Sequence, residues 1–474
     1  MNKYTRLGKN TALVFLGNAG SKFIGLLMLP FYTRWLSIED YGLTDIITVY
    51  VTFLIGIVTC CIGESLFIFP KSQKKEIQKK YFSSATSFCL SMLLLTGLIF
   101  LAIEFVLKQL QIQNSFSQNI WLIYFMLVSN VIQQISQQFV RSIDKIVIYS
   151  TTGIVLTFAT ALFAFIFIPC WGVKGYVLSI ILANTCSSIY SFIFSRSYSY
   201  FSFKDNNLQA LVSMLKYSVP LIPNGIMWWL VNALNRPVME TYLGFHEMGI
   251  FAVANKFPGI LTVIFGVFGT SWQISVIEEF GKDGYGIFYN KILKLVFTLL
   301  AVVLMLLTLF SKVVISIFAS SDFYEAWQYI PFLTFGVLFS NIAGFAGTNF
   351  SATRESKYYF YSSIWGAIVA IIMNFVFIPL LGIWGACISV IFSFFMMAVC
   401  RIWYSWKYVK IADIQFYIIL LLFLVIMMVL YVKEVNPIII ASVCILMMYY
   451  LYIHEKDILF MIVSRVKSKM KFRD

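Results

Sequence analysis

Charge is scarce in this sequence: of its 474 residues only 12% are Asp, Glu, Lys or Arg, whereas 60% are hydrophobic and 18% aromatic. Soluble domains carry about twice that share of charged residues. The scarcity excludes a soluble globular protein and indicates an integral membrane protein. A net charge of +14 ordinarily suggests nucleic acid as a partner, but here the basic residues collect in short polar breaks between apolar runs, which indicates membrane topology instead.

Several catalytic and metal-binding patterns are lacking too. The only two histidines are His246 and His454, so His-based catalysis has little support. There is no GxxxxGK[ST] loop, which excludes an ATPase of that type, and no HExxH or paired Cys/His spacing for a metal. The eight cysteines lie almost all in apolar runs without CxxC spacing, which predicts small buried side chains and no disulfide framework. We expect no catalytic residue, no metal site and no cofactor.

What the sequence has instead is a series of long apolar runs. A helix needs about 20 residues to cross the hydrocarbon core, and the polar breaks allow about fourteen crossings, or twelve if the last pair is misassigned. The first run follows three basic residues as in a secretory signal, but it lacks a cleavage site and is kept as a membrane helix. We predict an all-α polytopic membrane protein with helices at 10–36, 42–69, 82–107, 119–140, 147–169, 173–195, 212–243, 248–276, 290–318, 328–351, 358–380, 383–405, 414–432 and 437–453.

Lysine and arginine collect on one side of these predicted crossings. With both termini inside, the cytoplasmic side receives most of them, including KSQKKEIQKK at 71–80 and the tail from 456 onward. The outer side receives only Arg34, Lys108, Lys174, Lys312 and Lys433. This asymmetry predicts a multi-pass protein with both termini cytoplasmic. The basic tail is typical of a segment that lies on the anionic inner leaflet.

Two stretches recur along the chain. FIPCWGVKGYVLS at 167–179 returns as FIPLLGIWGACIS at 377–389, on a predicted outer turn each time. There the proline is expected to stop one helix and the glycines to allow a tight reversal. One such pattern alone is a common hairpin turn. A second match has nearly the same spacing and pairs Pro30, Leu36, Asp40 and Gly42 with Pro237, Leu243, Glu247 and Gly249.

Together the matches predict a duplicated six-helix unit. Because six is even, both copies enter the membrane from the same side, and the two lobes should be related by an axis along the membrane normal. The predicted domains are 1–205 for the N-terminal lobe, 206–411 for the C-terminal lobe, 412–455 for two extra helices and 456–474 for the basic tail.

Three basic residues lie inside apolar spans: Lys22, Arg236 and Lys256. An unpaired charge at mid-helix costs about 2.5–3.5 kcal/mol on insertion scales. Arg236 and Lys256 are each about ten residues from the predicted hairpin tip at 245–246, so both lie near 15 Å from it at about 1.5 Å per residue. They can therefore form one cationic site, which Lys22 joins from the other lobe. Alternatively, these side chains snorkel or pair with Glu240, Asp45 or Glu64.

Carboxylates, prolines and asparagines in the same predicted helices, or in neighbouring ones, are further candidate site residues. Asp45 and Glu64 are candidates for a coupling site, or ordinary interface residues near helix ends. Kinks in the seventh and eighth helices are expected from the prolines, which become candidate hinges: Pro220, Pro223, Pro237 and Pro258. Asn232 and Asn235 offer amides that can contact sugar hydroxyls or form interhelical hydrogen bonds.

Two stretches carry a resemblance to a known family: LGNAGSKFIGLLMLPFYTRWLSIEDYGL near the N-terminus and PLIPNGIMWWLVNALNRPVMETYLGFHEMGIFAVANKFP in the centre. The chain resembles the Wzx-type polysaccharide flippases of the multidrug/oligosaccharidyl-lipid/polysaccharide superfamily. That family often has an acidic residue before the arginine of the seventh helix, whereas this sequence has Asn235. The resemblance implies two MATE-like six-helix lobes around a central cavity that opens alternately to each side of the bacterial cytoplasmic membrane.

The implied substrate is an O-antigen or capsule repeat unit on undecaprenyl pyrophosphate. Arg236, Lys256 and Lys22 would then bind the pyrophosphate in a wet lumen, while the polyprenyl tail stays in lipid. Implied partners are membrane lipids, a polysaccharide polymerase and a chain-length regulator. Two alternatives stay open: a membrane polymerase or ligase, whose usual outer soluble loop is lacking, and a multidrug exporter of the same fold, which would need an acidic cavity.

Overall fold

The structure, a computed structural model, describes residues 25–112, 114–353, 355 and 357–471. Every regular element in these ranges is a helix and none is a strand, which confirms the predicted all-α class. Nine helices within the described ranges are long and apolar enough to cross a membrane. The count of fourteen crossings stays a prediction, because the first lies mostly outside the described residues and several others are divided into shorter helices.

The described residues form two compact units. The first contains those up to Lys256 together with Ile317–Tyr324 and Ala370–Ala386. The second contains Phe257–Ser316, Glu325–Val369 and those from Cys387 onward. The predicted lobe boundaries stay a prediction.

Nineteen α-helices are numbered here in chain order over the described residues. Those up to Lys256 are α1 (Leu29–Trp35), α2 (Ile38–Val58), α3 (Ile62–Ile68), α4 (Lys75–Gln109), α5 (Ser115–Gln118), α6 (Ile120–Ser142), α7 (Ile146–Phe194), α8 (Leu208–Ser218), α9 (Ile222–Ala233), α10 (Asn235–Tyr242) and α11 (Phe245–Ala254). The remainder are α12 (Pro258–Glu279), α13 (Tyr285–Leu309), α14 (Ser311–Phe318), α15 (Ile330–Ala352), α16 (Lys357–Leu381), α17 (Ile383–Ser405), α18 (Ile414–Val432) and α19 (Pro437–Lys471).

Exposed leucines on α4 show how these helices suit a bilayer. Leu94, Leu98 and Leu101 are 70%, 65% and 51% exposed, and their spacing of four and three residues places them on one face. Such a row is unfavourable in water but suits hydrocarbon. The opposite side of α4 packs inward, where Phe82 stacks on Phe139 of α6 at 4.0 Å between ring centroids.

The two FIPxxGxxGxxxS copies form the same turn. The first glycine has a positive φ in each copy, 51° at Gly172 and 61° at Gly382. At the second glycine a Cβ would lie about as close to the carbonyl oxygen eight residues earlier, 2.1 Å at Gly175 and 2.0 Å at Gly385. A side chain at either position would clash with backbone. One detail of the prediction is wrong: Pro169 and Pro379 lie inside helices and do not end them. The backbone of α7 leaves helical geometry at Gly172, and α16 ends at Leu381, just before Gly382.

The second repeated pair meets in space. A Cβ on Gly42 of α2 would lie 2.3 Å from the carbonyl oxygen of Phe245, and one on Gly249 of α11 would lie 2.1 Å from that of Ile38. Ile38 and Phe245 are separated by the same 207 positions as Gly42 and Gly249, so the contact is reciprocal. The two matched segments therefore pack backbone to backbone through their glycines.

The predicted seventh and eighth crossings are broken helices. Residues 212–243 contain the end of α8, a 3-10 turn over Val219–Leu221, and then α9 and α10. Residues 248–276 are divided between α11 and α12. All four candidate hinge prolines lie at these breaks: Pro220 in the 3-10 turn, Pro223 and Pro237 near the starts of α9 and α10, and Pro258 at the first residue of α12. Their role as hinges stays a prediction.

Candidate functional site

Arg236 lies at the centre of a polar cluster in the first unit and is only 6% exposed. Its Nε is 3.1 Å from Oδ2 of Asp45 on α2, in an ion pair between residues 191 positions apart. The guanidinium carbon lies 5.0 Å from the ring centroid of Phe251 on α11. This is one of the pairings that the sequence left open, and it compensates the buried charge of Arg236.

The break between α9 and α10 gives this cation a further partner. Arg236 Nη1 donates to the backbone oxygen of Asn232 at 2.8 Å and to Oδ1 of Asn235 at 2.8 Å. In an unbroken helix the Asn232 carbonyl would accept from the backbone N–H of residue 236. Where the helix is interrupted, the side chain of the same residue takes that place, so the break and the cation stabilise each other.

Asp45 is positioned by the start of α2. Ser37 caps this helix by accepting a hydrogen bond from the backbone N–H of Asp40 at 3.0 Å, and Glu39 and Asp40 occupy its first turn, where negative charge is favourable. The glycine contact between α2 and α11 then brings the next turn of α2, which holds Asp45, close to α10 and α11. Asp45 therefore faces Arg236 because two matched glycines allow their backbones to approach.

Lys256 differs from Arg236 in having no carboxylate partner within the part of the chain that the structure describes. It is half-buried just past the end of α11, and its Nζ lies 6.0 Å from the ring centroid of Tyr41, one turn before Asp45 on α2. Among the described residues no carboxylate oxygen lies within 4 Å of it. A half-buried cation without a counter-ion is a natural contact for an anionic ligand.

A second carboxylate belongs to the same region. Glu240, one turn after Arg236 on α10, accepts from the Tyr50 hydroxyl at 2.8 Å and from the backbone N–H of Ser115 at 3.0 Å. Glu240 was one of three carboxylates left open as partners of the basic residues, and among the described residues its two oxygens bind these neutral donors instead. The glutamate thereby joins α2, α5 and α10.

The other predicted site residues are placed as follows. Lys22 lies outside the described residues. Asn232 is exposed and donates to the Trp228 carbonyl at 2.8 Å, whereas Asn235 is 2% exposed, with an amide nitrogen that has no hydrogen-bond partner among the described residues. Glu64 is exposed on α3. The structure thus brings together Asp45, Asn235 and Arg236. Lys256 lies near Tyr41, which is one turn before Asp45 on α2.

An aromatic cavity between α2 and α9 was not predicted from the sequence. It has a volume of about 300 Å³ and includes Phe53, Trp229 and Asn232 in its lining. Trp229 lies 4.6 Å from Phe53 between ring centroids, and its Nε1 donates to the Val49 carbonyl at 3.3 Å. The tryptophan pair at 228–229 was the available signal, since tryptophan in a membrane helix often meets a polar partner.

The amino-acid sequence matches a known family. Residues 7–273, more than half of the chain, match the family model described as polysaccharide biosynthesis protein. No curated protein sequence matches the chain.

Among solved structures, the lipid II flippase MurJ in an inward closed conformation is similar over 95% of this chain and 99% of its own, with a TM-score of 0.69 at 15% identity. An inward-facing multidrug resistance MATE family transporter of the MOP superfamily is similar over 83% of this chain and 94% of its own, with a TM-score of 0.64 at 14% identity. The outward-facing form gives a TM-score of 0.58. At these identities the likeness concerns the fold, and it confirms the fold class expected from the resemblance.

Proposed function

Because this chain belongs to the polysaccharide biosynthesis protein family over residues 7–273, we propose that it is a flippase for lipid-linked oligosaccharides. It moves undecaprenyl-pyrophosphate-linked repeat units, such as those of O-antigen or capsule, from the inner to the outer leaflet of the bacterial cytoplasmic membrane. Both termini lie in the cytoplasm, and the polymerase and chain-length regulator act on the product. The fold shared with MurJ and MATE transporters supports a transport role.

The observation that supports this proposal most directly is the environment of the Lys256 ammonium. A half-buried cation without a carboxylate partner among the described residues is costly in a membrane protein unless an anion binds there during function. A pyrophosphate provides two adjacent anionic groups and forms charge-assisted hydrogen bonds with an ammonium. Lys256 is therefore the primary phosphate contact, and Lys22 has the same role from the first predicted helix.

Arg236 has a second role, because its charge is already compensated by Asp45. When a pyrophosphate approaches, the guanidinium can exchange one anionic partner for another. Protonation of Asp45 would favour this exchange because it removes the competing negative charge. Asp45 is accordingly the coupling residue in our proposal, whereas Glu64 is exposed, without an ion pair among the described residues, and has a lesser claim.

The test is Lys256→Gln in cells that make the matching glycan. Loss of a charge-assisted contact worth about 1.5–3 kcal/mol should reduce surface polymer about 10- to 100-fold at equal protein level. Lipid-linked units should accumulate in the inner leaflet. Lys256→Arg should retain most of the activity, and Lys433→Gln, which removes an exposed lysine, serves as the matched control.

The same experiment separates the alternatives. A polymerase or ligase would give altered polymer length without accumulation of lipid-linked units in the inner leaflet. A multidrug exporter of this fold would leave surface polymer unchanged, and removal of Lys256 would maintain or improve resistance to cationic drugs. Normal surface polymer with normal levels of the Lys256→Gln protein would contradict the flippase proposal.

A further inference from the structure

Five amide side chains follow one face of α6: Asn130, Gln133, Gln134, Gln137 and Gln138. Their spacing of three, four, seven and eight residues from the first places them together on one side of the helix. We call this face the amide stripe. All five are half-buried, whereas the exposed apolar side chains Phe125 and Ile132 lie on the other side of α6. The stripe is therefore turned away from the surface that suits lipid.

The hydrogen bonds of the amide stripe stay within its own helix. Gln133 Nε2 donates to Gln137 Oε1 at 3.0 Å, and Asn130 Nδ2 donates to the carbonyl of Met126 at 2.8 Å. Gln138 Oε1 is buried without a partner among the described residues. The Gln134 amide makes no hydrogen bond to any described residue either, although a Cβ on Gly63 of α3 would lie only 3.5 Å from it.

Interhelical hydrogen bonding is the usual reason for polar side chains in a membrane helix, but α6 makes those bonds on a different face. Asn184 of α7 donates to Ser129 at 3.2 Å, and Ser136 donates to Ser191 of α7 at 3.3 Å. Ser129 and Ser136 are seven residues apart and lie about 100° from the centre of the stripe at 3.6 residues per turn. The serines connect α6 to α7, and the amides are left for another partner.

We propose that the amide stripe binds the sugar part of the lipid-linked substrate, an inference that rests on the proposed flippase function. Each amide is uncharged and offers both a donor and an acceptor, which matches the paired donor and acceptor character of sugar hydroxyls. It offers no net charge to a phosphate. From Asn130 to Gln138 the stripe extends about 12 Å along the helix, so it contacts more than one hydroxyl group at a time.

The position of the amide stripe along α6 suits entry of the substrate from one side of the membrane. It leads towards Arg141, an exposed residue near the end of α6 whose guanidinium carbon lies 4.0 Å from the ring centroid of Phe67. In the predicted topology this end is cytoplasmic. A glycan entering from that side would meet the amides, while Lys256 and Arg236 bind the pyrophosphate.

The test compares two ligands of the purified full chain in detergent micelles. One is the lipid-linked saccharide fraction extracted from the source cells, and the other is synthetic undecaprenyl pyrophosphate without sugar. The wild-type protein should bind the glycan-bearing lipid at least about tenfold more tightly, since the glycan adds more than one hydrogen bond to the amides. Equal affinity for the two lipids would overturn the assignment without any variant.

The variants are Gln134→Met and Gln137→Met, which keep the side-chain length and remove the amide. Each should weaken binding of the glycan-bearing lipid up to about tenfold and change binding of the bare lipid less than about twofold. Gln109→Met, an exposed glutamine at the end of α4, is the matched control. Ser129→Ala should lower thermal stability without changing the preference between the two lipids.

Three other outcomes are informative. An equal loss for both lipids would assign the stripe to folding or to the phosphate and overturn the proposal. Unchanged binding of both would overturn it as well. If the wild-type protein binds neither lipid, the flippase function itself is wrong and the stripe assignment falls with it, whereas a loss confined to the glycan-bearing lipid supports both.

Discussion

The charged cluster around Arg236 and the amide stripe on α6 are both polar regions of a membrane protein, but they differ in how far their polar groups are paired within the fold. Arg236 is bound to Asp45, Asn232 and Asn235, whereas Gln134 and the Gln138 oxygen have no hydrogen-bond partner among the described residues. A buried charge without a partner costs several kcal/mol, and an unsatisfied amide costs about 1–3 kcal/mol. A buried charge must therefore be compensated within the fold, whereas the hydrogen-bonding groups of an amide can stay available for a ligand.

Lys256 shares one property with each of these two regions. It has the charge of the first region and the unused binding capacity of the second. A fold that compensates Arg236 through a residue 191 positions away leaves Lys256 without a carboxylate among the described residues. In our proposal this is the position that the anionic part of the substrate neutralises.

Asp45→Asn should have the largest effect on the charged cluster. It leaves Arg236 buried with a neutral partner, which we expect to lower the free energy of unfolding by about 3–5 kcal/mol. The double variant Asp45→Asn with Arg236→Met should recover most of that loss, because no uncompensated charge remains. Thermal unfolding in detergent, read as a double-mutant cycle, measures the coupling. Additive effects of the two changes would show that the ion pair does not stabilise the fold.

Gly42→Ala should act on the same cluster through the backbone. The new Cβ would lie 2.3 Å from the carbonyl oxygen of Phe245, so α2 and α11 must separate, at a cost of about 1–3 kcal/mol. Gly56→Ala on the same helix is the matched control, since its Cβ would lie 4.0 Å from Sγ of Cys61, an ordinary contact distance, and it should be neutral or stabilising. If both variants unfold at the wild-type temperature, the glycine contact does not position Asp45.

Gln138→Met should have the smallest effect. It removes a buried acceptor that has no partner among the described residues, so the free energy of unfolding should stay within about 1 kcal/mol of wild type or rise. The measurement is again thermal unfolding in detergent. A loss as large as that of Asp45→Asn would show that the stripe is structural, and the difference between the two regions would disappear.

Much of the fold could be predicted because lipid imposes simple rules on a sequence. Runs of about 20 apolar residues read as helices, and the repeat with its paired glycines indicated turns that the structure forms at Gly172 and Gly382. The prolines indicated where helices are interrupted, although at Pro169 and Pro379 the helix continues past the proline. A proline near the end of a membrane helix removes one hydrogen bond, which the last turn can tolerate.

The candidate site was predictable only in part. Arg236 and Asp45 were both singled out from their charge, but three carboxylates were equal candidates as partners. The amide stripe carried a readable signal, since amides at positions 130, 133, 134, 137 and 138 have helical spacing. What the spacing cannot give is whether those amides are bound by a neighbouring helix or left without partners.

The sequence by itself determined that this chain is an all-helical membrane protein, because apolar length and the scarcity of charge permit little else in water or lipid. It also determined the repeated turns, because only glycine permits the backbone approach that they require. Only the tertiary structure decided which cation is compensated, since α2 and α10 meet through contacts between distant segments. A charge is expensive or useful according to what lies within about 4 Å of it, and that distance is set by packing.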